Sequence, residues 1–338
     1  MKIVSVPGDG IGPEVMHEAL IALAVLEPDL TIEEHPLGAR AIEQLGDPLP
    51  PSTLEACLSA DAVLMGAVGA NHAWNETLNP EEGMFRLRRE LDVYANLRPF
   101  RDGAIDLLIV RELVGGLYFG ARGTRPDGTV FDTCEYHPDQ VKRVLRKGFE
   151  LARTRRGRLT SVDKANVLAT SRMWRALASD LAGEYPDVTV EHLLVDTAAL
   201  HLVQDPERFD VIVTENTFGD ILSDVAAAVA GGLQVAASAC IGDRRPGLFE
   251  PVHGTAPDIA GSGRANPAAM LLSVALMLRY GFDREAQAQL LEAAVADTQA
   301  DRALRDDVMS TTEFGRGVVA RLGEMVKAVP AGDEPAGV

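Results

Sequence analysis

The sequence predicts an α/β protein built on a mixed or parallel sheet. Three observations lead there. Short β-branched runs alternate with longer amphipathic ones along the 338 residues, as strands alternate with helices in this class. A glycine turn, Gly8-Asp9-Gly10-Ile11-Gly12, joins the first such run to the first amphipathic one. An acid-bearing run, Phe218-Gly219-Asp220-Ile221-Leu222-Ser223-Asp224, follows the apolar stretch FDVIV at 209–213, and open α/β sheets bind ligands beyond their strand ends. The length allows two domains or one large one. An apolar content of 46% supplies a full core.

Taken in order, residues 2–6 (KIVSV) read as the first strand. A helix over 13–26 opens on Pro13, whose fixed φ suits a first helical turn. The turn GDPLPPS at 46–52 leads into a second helix at 51–58, and AVLM at 62–65 is the next strand. The spacing predicts a helix over 83–91, then a strand at 106–110. Residues 119–135 carry Gly, Arg, Thr and aromatic residues and read as a hairpin-like arm. Helices follow at 138–153 and 172–185, with strands at 160–162, 188–195 and 210–213. A helix is expected over 220–229, three more at 267–280, 284–298 and 312–326, and a frayed tail at 329–338. No solenoid repeat is present.

The formal charge of −18 argues against nucleic acid and anionic membrane as partners, since both need basic patches. Cys57, Cys134 and Cys240 are far apart and form no CxxC, which fits a reducing cytoplasm and offers no zinc site. No signal peptide is expected before the strand at 2–6. The long apolar stretch at 225–241 is rich in Ala and Gly and interrupted by Gln234 and Ser238, unlike a membrane span.

The candidate chemistry lies in a few clusters. Asp220 and Asp224 share a helix face at i and i+4, and Asp196 closes the apolar stretch at 192–195. Carboxylates about 5 Å apart repel by roughly 3 kcal/mol at an effective dielectric near 20. A hard cation such as Mg²⁺ or Mn²⁺ turns that repulsion into binding. The same pattern also fits a polar helix start, with Asp220 as a cap and Asp224 solvated. The glycine turn is spaced G-x-G-x-G rather than G-x-G-x-x-G, and no acid is expected to end a second strand at the distance a Rossmann ribose contact needs, so an ordinary Rossmann site is not indicated. Along 81–98, Glu81, Met84, Phe85 and Arg88 share a helical arc of about 100°, with Leu87, Leu91 and Tyr94 on the adjoining apolar arc. That face offers an acid, two apolar groups and an arginine. Arg98 and Arg111 lie on the following segments, and arginine forks match carboxylates. Lys164, just after a strand, is a candidate base, and Tyr118 a candidate proton donor. A dense loop runs His253-Gly254-Thr255-Ala256-Pro257-Asp258, with Asn266 beyond it.

Six segments, GDGIGPEV, RRELDVYANLRP, VRELVGGLYFG, DKANVL, FGDILSD and EPVHGTAPDIAG, resemble in type and order the isocitrate and isopropylmalate dehydrogenase family of metal-dependent β-hydroxyacid oxidative decarboxylases. The resemblance implies a discontinuous two-domain α/β fold with a mixed central sheet and a cofactor site that is not Rossmann-type. It implies a cofactor-side domain from 1–95 and 231–338, and a second domain, 96–230, with the dimer arm and metal site. EEGMFRLR resembles the helix of the isopropylmalate-using branch, where bulky apolar residues meet the alkyl group. The implied reaction is NAD-dependent oxidative decarboxylation of 3-isopropylmalate to 2-oxoisocaproate in leucine biosynthesis. Homoisocitrate, tartrate or D-malate remain alternative substrates, and a non-catalytic metal- or anion-binding protein is the alternative of another class.

By the same resemblance Arg88, Arg98 and Arg111 hold the malate carboxylates, and Met84 and Phe85 face the alkyl group. Asp196, Asp220 and Asp224 bind Mg²⁺ or Mn²⁺, with Asp196 also at the substrate. Lys164 and Tyr118 are catalytic, and Glu81 lies between the substrate and the nicotinamide. Ile11, Gly69, His253, Gly254, Thr255, Ala256, Pro257, Asp258, Ile259 and Asn266 bind the cofactor. Asp258-Ile259 resembles the NAD-using pattern, and an acid there repels a 2′-phosphate. Lys164 and Asp196 serve the partner's site in the family, so a homodimer is implied. Three departures stand out: Glu215, adding negative charge near the metal; a short 120–128 loop; and Phe85, larger than the usual leucine.

Overall fold

The chain enters through β1 (Lys2–Val6), α1 (Gly12–Leu26), β2 (Thr31–Glu34), α2 (Ala39–Leu45), α3 (Pro51–Leu58), β3 (Ala62–Met65) and α4 (Pro80–Glu90). It continues as β4 (Ala95–Asp102), β5 (Ile105–Glu112), β6 (Arg122–Thr124), β7 (Val130–Asp132), α5 (Pro138–Arg153), β8 (Arg158–Asp163), α6 (Ala169–Ala182), β9 (Thr189–Leu194) and α7 (Val195–Gln204). The remainder is β10 (Val211–Thr214), α8 (Asn216–Val229), β11 (Ala237–Ile241), β12 (Gly247–Pro251), α9 (Ala268–Leu276), α10 (Glu285–Ala303) and α11 (Thr311–Ala328). This computed structural model describes residues 1–69, 79–303 and 309–328; the expected tail at 329–338 lies outside them.

Two units divide the chain. The first is Met1–Met84 with Phe249–Val338, and the second is Phe85–Leu248; the sequence reading sets the divisions near 95 and 231. In the first unit the strand order is β2-β1-β3-β12, with β1 parallel to both β2 and β3. Ile3, Val4, Val6, Val63, Leu64 and Met65 are fully buried, which is why β3 reads as a continuous apolar run and β1 as one interrupted only by Ser5. Helix α1 packs on α9 and α11.

The second unit has the order β11-β4-β5-β10-β8-β9. Strands β5, β10, β8 and β9 run parallel, while β4 is antiparallel to both β5 and β11, so the sheet is mixed as expected. Helix α7 packs on α8. The arm is an antiparallel pair, β6 with β7. Among the described residues no helix is long and apolar enough to cross a membrane.

Several boundaries differ from the sequence reading. Helix α8 starts at Asn216, not 220, because Glu215 accepts hydrogen bonds from the N–H groups of Thr217 and Phe218 as its cap. Asp220 is therefore one turn inside the helix and is not its cap. Strand β9 stops at Leu194, and Asp196 falls in the first turn of α7. Tyr94 is off α4, whose last residue is Glu90; the chain turns through Asp92 at φ 48°. An acid does end a second strand: β2 closes on Glu33 and Glu34. Both are engaged elsewhere, Glu33 with Lys2 at 2.9 Å and Glu34 with Arg40 at 3.7 Å.

Candidate active site

Two strands and a helix of the second unit bring three arginines to one neighbourhood. Arg98 on β4 and Arg111 on β5 join Arg88 near the end of α4, and they are only 6%, 3% and 6% exposed respectively. Each strand arginine is aimed by neutral oxygens. Arg98 donates through Nε to Asn96 Oδ1 at 2.8 Å and through Nη1 to the Ser223 hydroxyl. Arg111 donates through Nε and Nη2 to Asn216 Oδ1 at 3.0 and 2.6 Å, and Asn216 in turn donates to the Gly115 carbonyl at 3.0 Å. Asp220 Oδ1 pairs with Arg111 and lies 3.5 Å from Arg98 Nη2. The Tyr118 hydroxyl donates to Asp220 Oδ2 at 3.1 Å.

The charge balance favours an incoming anion. Burial first, and then the neighbouring Arg98 and Arg88, pull the Arg111 pKa down to about 10, with Asp220 opposing. A guanidinium held below its ordinary value gains from a second negative group. Burial, reinforced by Asp220, pushes the Tyr118 phenol up, so it stays a proton donor at neutral pH.

Asp224 lies one turn beyond Asp220. Its carboxyl is pushed up by desolvation, with Arg98 opposing and Asp220 adding to the rise. Ionising one acid beside another is unfavourable, and a hard cation relieves it; Mg²⁺ needs only one or two carboxylates when waters and substrate oxygens complete its shell. The donor set fits such an ion. Asp196 is not part of this cluster within one chain: among the described residues no three His, Cys, Asp or Glu side chains converge to hold a metal. It pairs instead with Lys164, Nζ to Oδ1 at 2.5 Å, which lowers the Asp196 carboxyl. Glu215 does not add free charge near the acids. Its oxygens cap α8 at 2.9 and 3.2 Å and accept from the Tyr136 hydroxyl at 3.0 Å. On α4, Phe85 meets the ring of Phe119 edge-on.

The first unit gathers the other predicted residues. Gly8 and Gly10 adopt φ of 72° and 57°, and a Cβ on Gly10 would stand 2.1 Å from the Thr255 carbonyl oxygen. The turn's N–H groups, which a Rossmann loop would offer to phosphate, are engaged within the protein: Asp9 with Ala67, Ile11 with Thr255 and Gly12 with Asp9. Asp9 itself, 8% exposed, accepts from the N–H groups of Ala39, Arg40 and Gly69 at 3.0, 3.0 and 3.1 Å. Burial nevertheless raises its pKa. Gly8, Asp9, Gly10, Gly69, Thr255 and Pro257 line a hollow of about 340 Å³. Glu81 lies near Gly69, its Oε1 3.9 Å from where a Gly69 Cβ would be. His253 donates through Nδ1–H to the Gly254 carbonyl at 3.0 Å. Its Nε2 is buried with no hydrogen-bond partner, and burial lowers its pKa. A neutral ring with an unsatisfied nitrogen fits a nucleotide base or ribose. Asp258 is exposed, and Asn266 Oδ1 accepts from the Ala268 N–H at the start of α9 at 3.1 Å.

Sequence reasoning missed Asn96, Asn216, Ser223 and Asp9. Asn96 had a usable signal, since it lies two residues before Arg98 and so on the same face of the strand. The partners of Asp9 are 30, 31 and 60 residues away, and no local pattern marks them.

Comparison with known proteins agrees with this geometry. The isocitrate/isopropylmalate dehydrogenase family matches residues 2–329. The chain is 46% identical to a 3-isopropylmalate dehydrogenase of Zymomonas mobilis, over 95% of this chain and all of that one. It is 45% identical to the Deinococcus radiodurans protein of the same name, over 95% and 98%. Among solved structures, an isocitrate dehydrogenase from Methylococcus capsulatus superposes with a TM-score of 0.87 at 34% identity, covering 95% of this chain and 99% of that one. A β-decarboxylating dehydrogenase from Thermococcus kodakarensis gives 0.83 at 32% identity, over 98% and 99%. Sharing that family's sequence along nearly its whole length, and its fold, the chain belongs to the isocitrate/isopropylmalate dehydrogenase family.

Proposed function

We propose that the protein is a 3-isopropylmalate dehydrogenase of leucine biosynthesis, an NAD- and divalent-metal-dependent oxidoreductase that converts 3-isopropylmalate to 2-oxoisocaproate. The observation that carries this reading is the near-full-length identity of 43–46% to relatives of that name. The buried arginine cluster supports it, since a substrate with two carboxylates answers an excess of fixed positive charge.

Arg88, Arg98 and Arg111 bind and orient the malate carboxylates, and Met84 and Phe85 face the isopropyl group. Asp220 and Asp224, with Asp196, hold Mg²⁺ or Mn²⁺. When bound, the ion would supply positive charge that stabilises enolate character as a Lewis acid. Lys164 would take the proton of the C2 hydroxyl, and NAD, when bound, would supply the acceptor for the C2 hydride. The C3–carboxylate bond then breaks, CO₂ leaves, and Tyr118 protonates C3 of the resulting enol. Ile11, Gly69, Glu81, the loop from His253 to Ile259, and Asn266 bind the NAD; Asp258 disfavours a 2′-phosphate.

The working form is a cytoplasmic homodimer in which Lys164 and Asp196 of one copy complete the acid pair of the other. Two observations support this: Asp196 stands apart from Asp220 and Asp224 within a chain, and α7 and α8 expose Leu200, Val203 and Ile221 at 52%, 62% and 58%. Apolar side chains so exposed on packed neighbours suit an interface.

A panel of malates differing at C3, assayed for NADH formation with Mn²⁺, tests the reading. The isopropyl compound is expected to give the highest kcat/KM. A preference for D-malate, tartrate or homoisocitrate assigns the same chemistry to another substrate, and no NADH from any of them assigns a binding role.

A further inference from the structure

The substrate helix does not fix its own apolar wall. Phe85 on α4 is half-buried, so its ring is not wedged by a core. What it meets is Phe119, ring centroids 5.7 Å apart at an interplanar angle of 82°, the edge-to-face geometry that aromatic quadrupoles favour. One helical turn beyond Phe85, Arg89 places its guanidinium over the Phe119 ring at 5.7 Å, within reach of a cation–π attraction. Residues 85 and 89 share a helix face as an i, i+4 pair, so Phe119 touches α4 at two successive points.

The backbone of Phe119 is itself pinned. Its N–H and that of Gly120 both donate to the Gly116 carbonyl, at 3.2 and 3.0 Å. Gly116 has φ of 76°, and any Cβ there would lie 2.3 Å from the Tyr136 hydroxyl. A Cβ on Gly120 would lie 1.8 Å from the Thr133 carbonyl oxygen. Neither glycine of this turn has room for a side chain. Phe119 thus stands on a held backbone, and its half-buried ring meets the half-buried ring of Phe85 edge-on.

We propose that Phe119 is a specificity-determining residue: by holding the Phe85 ring edge-on, it sets the size of C3 substituent the substrate pocket accepts. This rests on the reading that Phe85 faces the substrate's alkyl group. Phe119 need not touch substrate, and it acts through the position of Phe85. Without it the Phe85 ring swings away, contact with a branched alkyl group is lost, and discrimination between alkyl sizes falls.

The test measures kcat/KM for 3-isopropylmalate and 3-methylmalate with NAD and Mn²⁺ in the full-length protein. In Phe119→Leu the isopropyl-to-methyl ratio is expected to fall about tenfold, the scale on which a pocket reads one or two methylenes. Phe119→Tyr keeps the ring and is expected to hold the ratio within about twofold. A merely structural loss lowers both substrates together and leaves the ratio alone. A ratio in Phe119→Leu within about twofold of the unmodified protein overturns the proposal. Should Phe119→Leu fail to fold, Arg89→Met replaces it, with a fall of about threefold expected and an unchanged ratio overturning the proposal. An unmodified protein that oxidises neither malate overturns the functional reading, and this inference with it.

Discussion

Around Arg111, side chains hold side chains: Asn96, Asn216 and Ser223 present oxygens to two guanidinium groups, and Asp220 supplies the countercharge. Around Asp9 the protein holds its own backbone, with one carboxylate taking three N–H groups and two glycines passing beneath carbonyl oxygens. The first region fixes charges in space and depends on particular polar atoms. The second fixes the path of the chain and depends on the absence of a Cβ. On the proposed function, two kinds of ligand would explain the contrast. A dicarboxylate is recognised by forked donors, whereas a dinucleotide lies along a surface whose shape must admit it.

The largest expected effect comes from a residue outside both regions. Lys164 pairs with the exposed Asp196 and supports neither scaffold. Lys164→Ala is therefore expected to lower kcat by about 10²–10⁴-fold, the range for loss of a general base, with the melting temperature preserved. NADH formation and a thermal melt on the same sample check this; turnover near the unmodified rate removes Lys164 from the chemistry.

The glycine loops of the first unit offer their own contrast. Gly10 has no room for a methyl group, whereas a Cβ on Gly254 meets nothing within 4 Å. Gly10→Ala is expected to cost about 2–4 kcal/mol, combining a positive φ with a backbone clash. Gly254→Ala should stay within about 0.5 kcal/mol. Urea unfolding of both measures the difference, and equal costs would mean the turn around Gly10 relaxes freely.

How much of this was legible in the sequence depended on the range of the interactions. The parallel strands β1 and β3 declared themselves because both faces are buried and the run is almost wholly apolar, Ser5 being the one buried polar residue in β1. Strand β4 did not, because ANLRPFRD carries two arginines, a proline and an aspartate; it becomes a strand by pairing with β5 and β11. Helix α7 hid behind the apolar start VDTAALHLVQ, which reads equally well as the end of a strand. The arginines and aspartates were visible as residue types at the ends of elements. Which oxygen each arginine would meet was not: Asn216 lies 105 residues from Arg111, and chain pattern carries no information at that distance.

Removing one aiming oxygen tests the first region directly. Asn216→Ala takes the acceptor from two nitrogens of a buried guanidinium. Hydrogen bonds to charged groups are worth about 1.5–3 kcal/mol, so kcat/KM for the malate should fall by roughly ten- to hundredfold, mostly through KM. The KM for NAD should hardly change, because the glycine loops do not use Asn216. If both constants rise equally, the distinction between the two regions fails.

The sharpest challenge to the comparison is Glu112, a residue of the second unit that behaves like Asp9. It is fully buried, and its carboxylate accepts from the N–H groups of Val114 and Gly115 at 3.0 and 2.9 Å, so here too a carboxylate holds backbone. Burial outweighs those two hydrogen bonds and pushes the pKa from 4.5 to about 7. The folded state therefore keeps a proton that the unfolded chain releases. Its stabilising contribution is complete below pH 4.5 and shrinks as pH rises, levelling off above about 7. Between pH 5.5 and 8 the loss amounts to about 2 kcal/mol at 1.36 kcal/mol per pKa unit. Glu112→Gln cannot titrate, so its unfolding free energy should vary less over that interval, even if its absolute stability is lower because an amide nitrogen then faces a backbone donor. Urea unfolding at the two pH values, with and without the substitution, reads the slope. Parallel slopes would mean that Glu112 is ionised throughout, and that its two backbone donors then suffice for a full charge in a dry site.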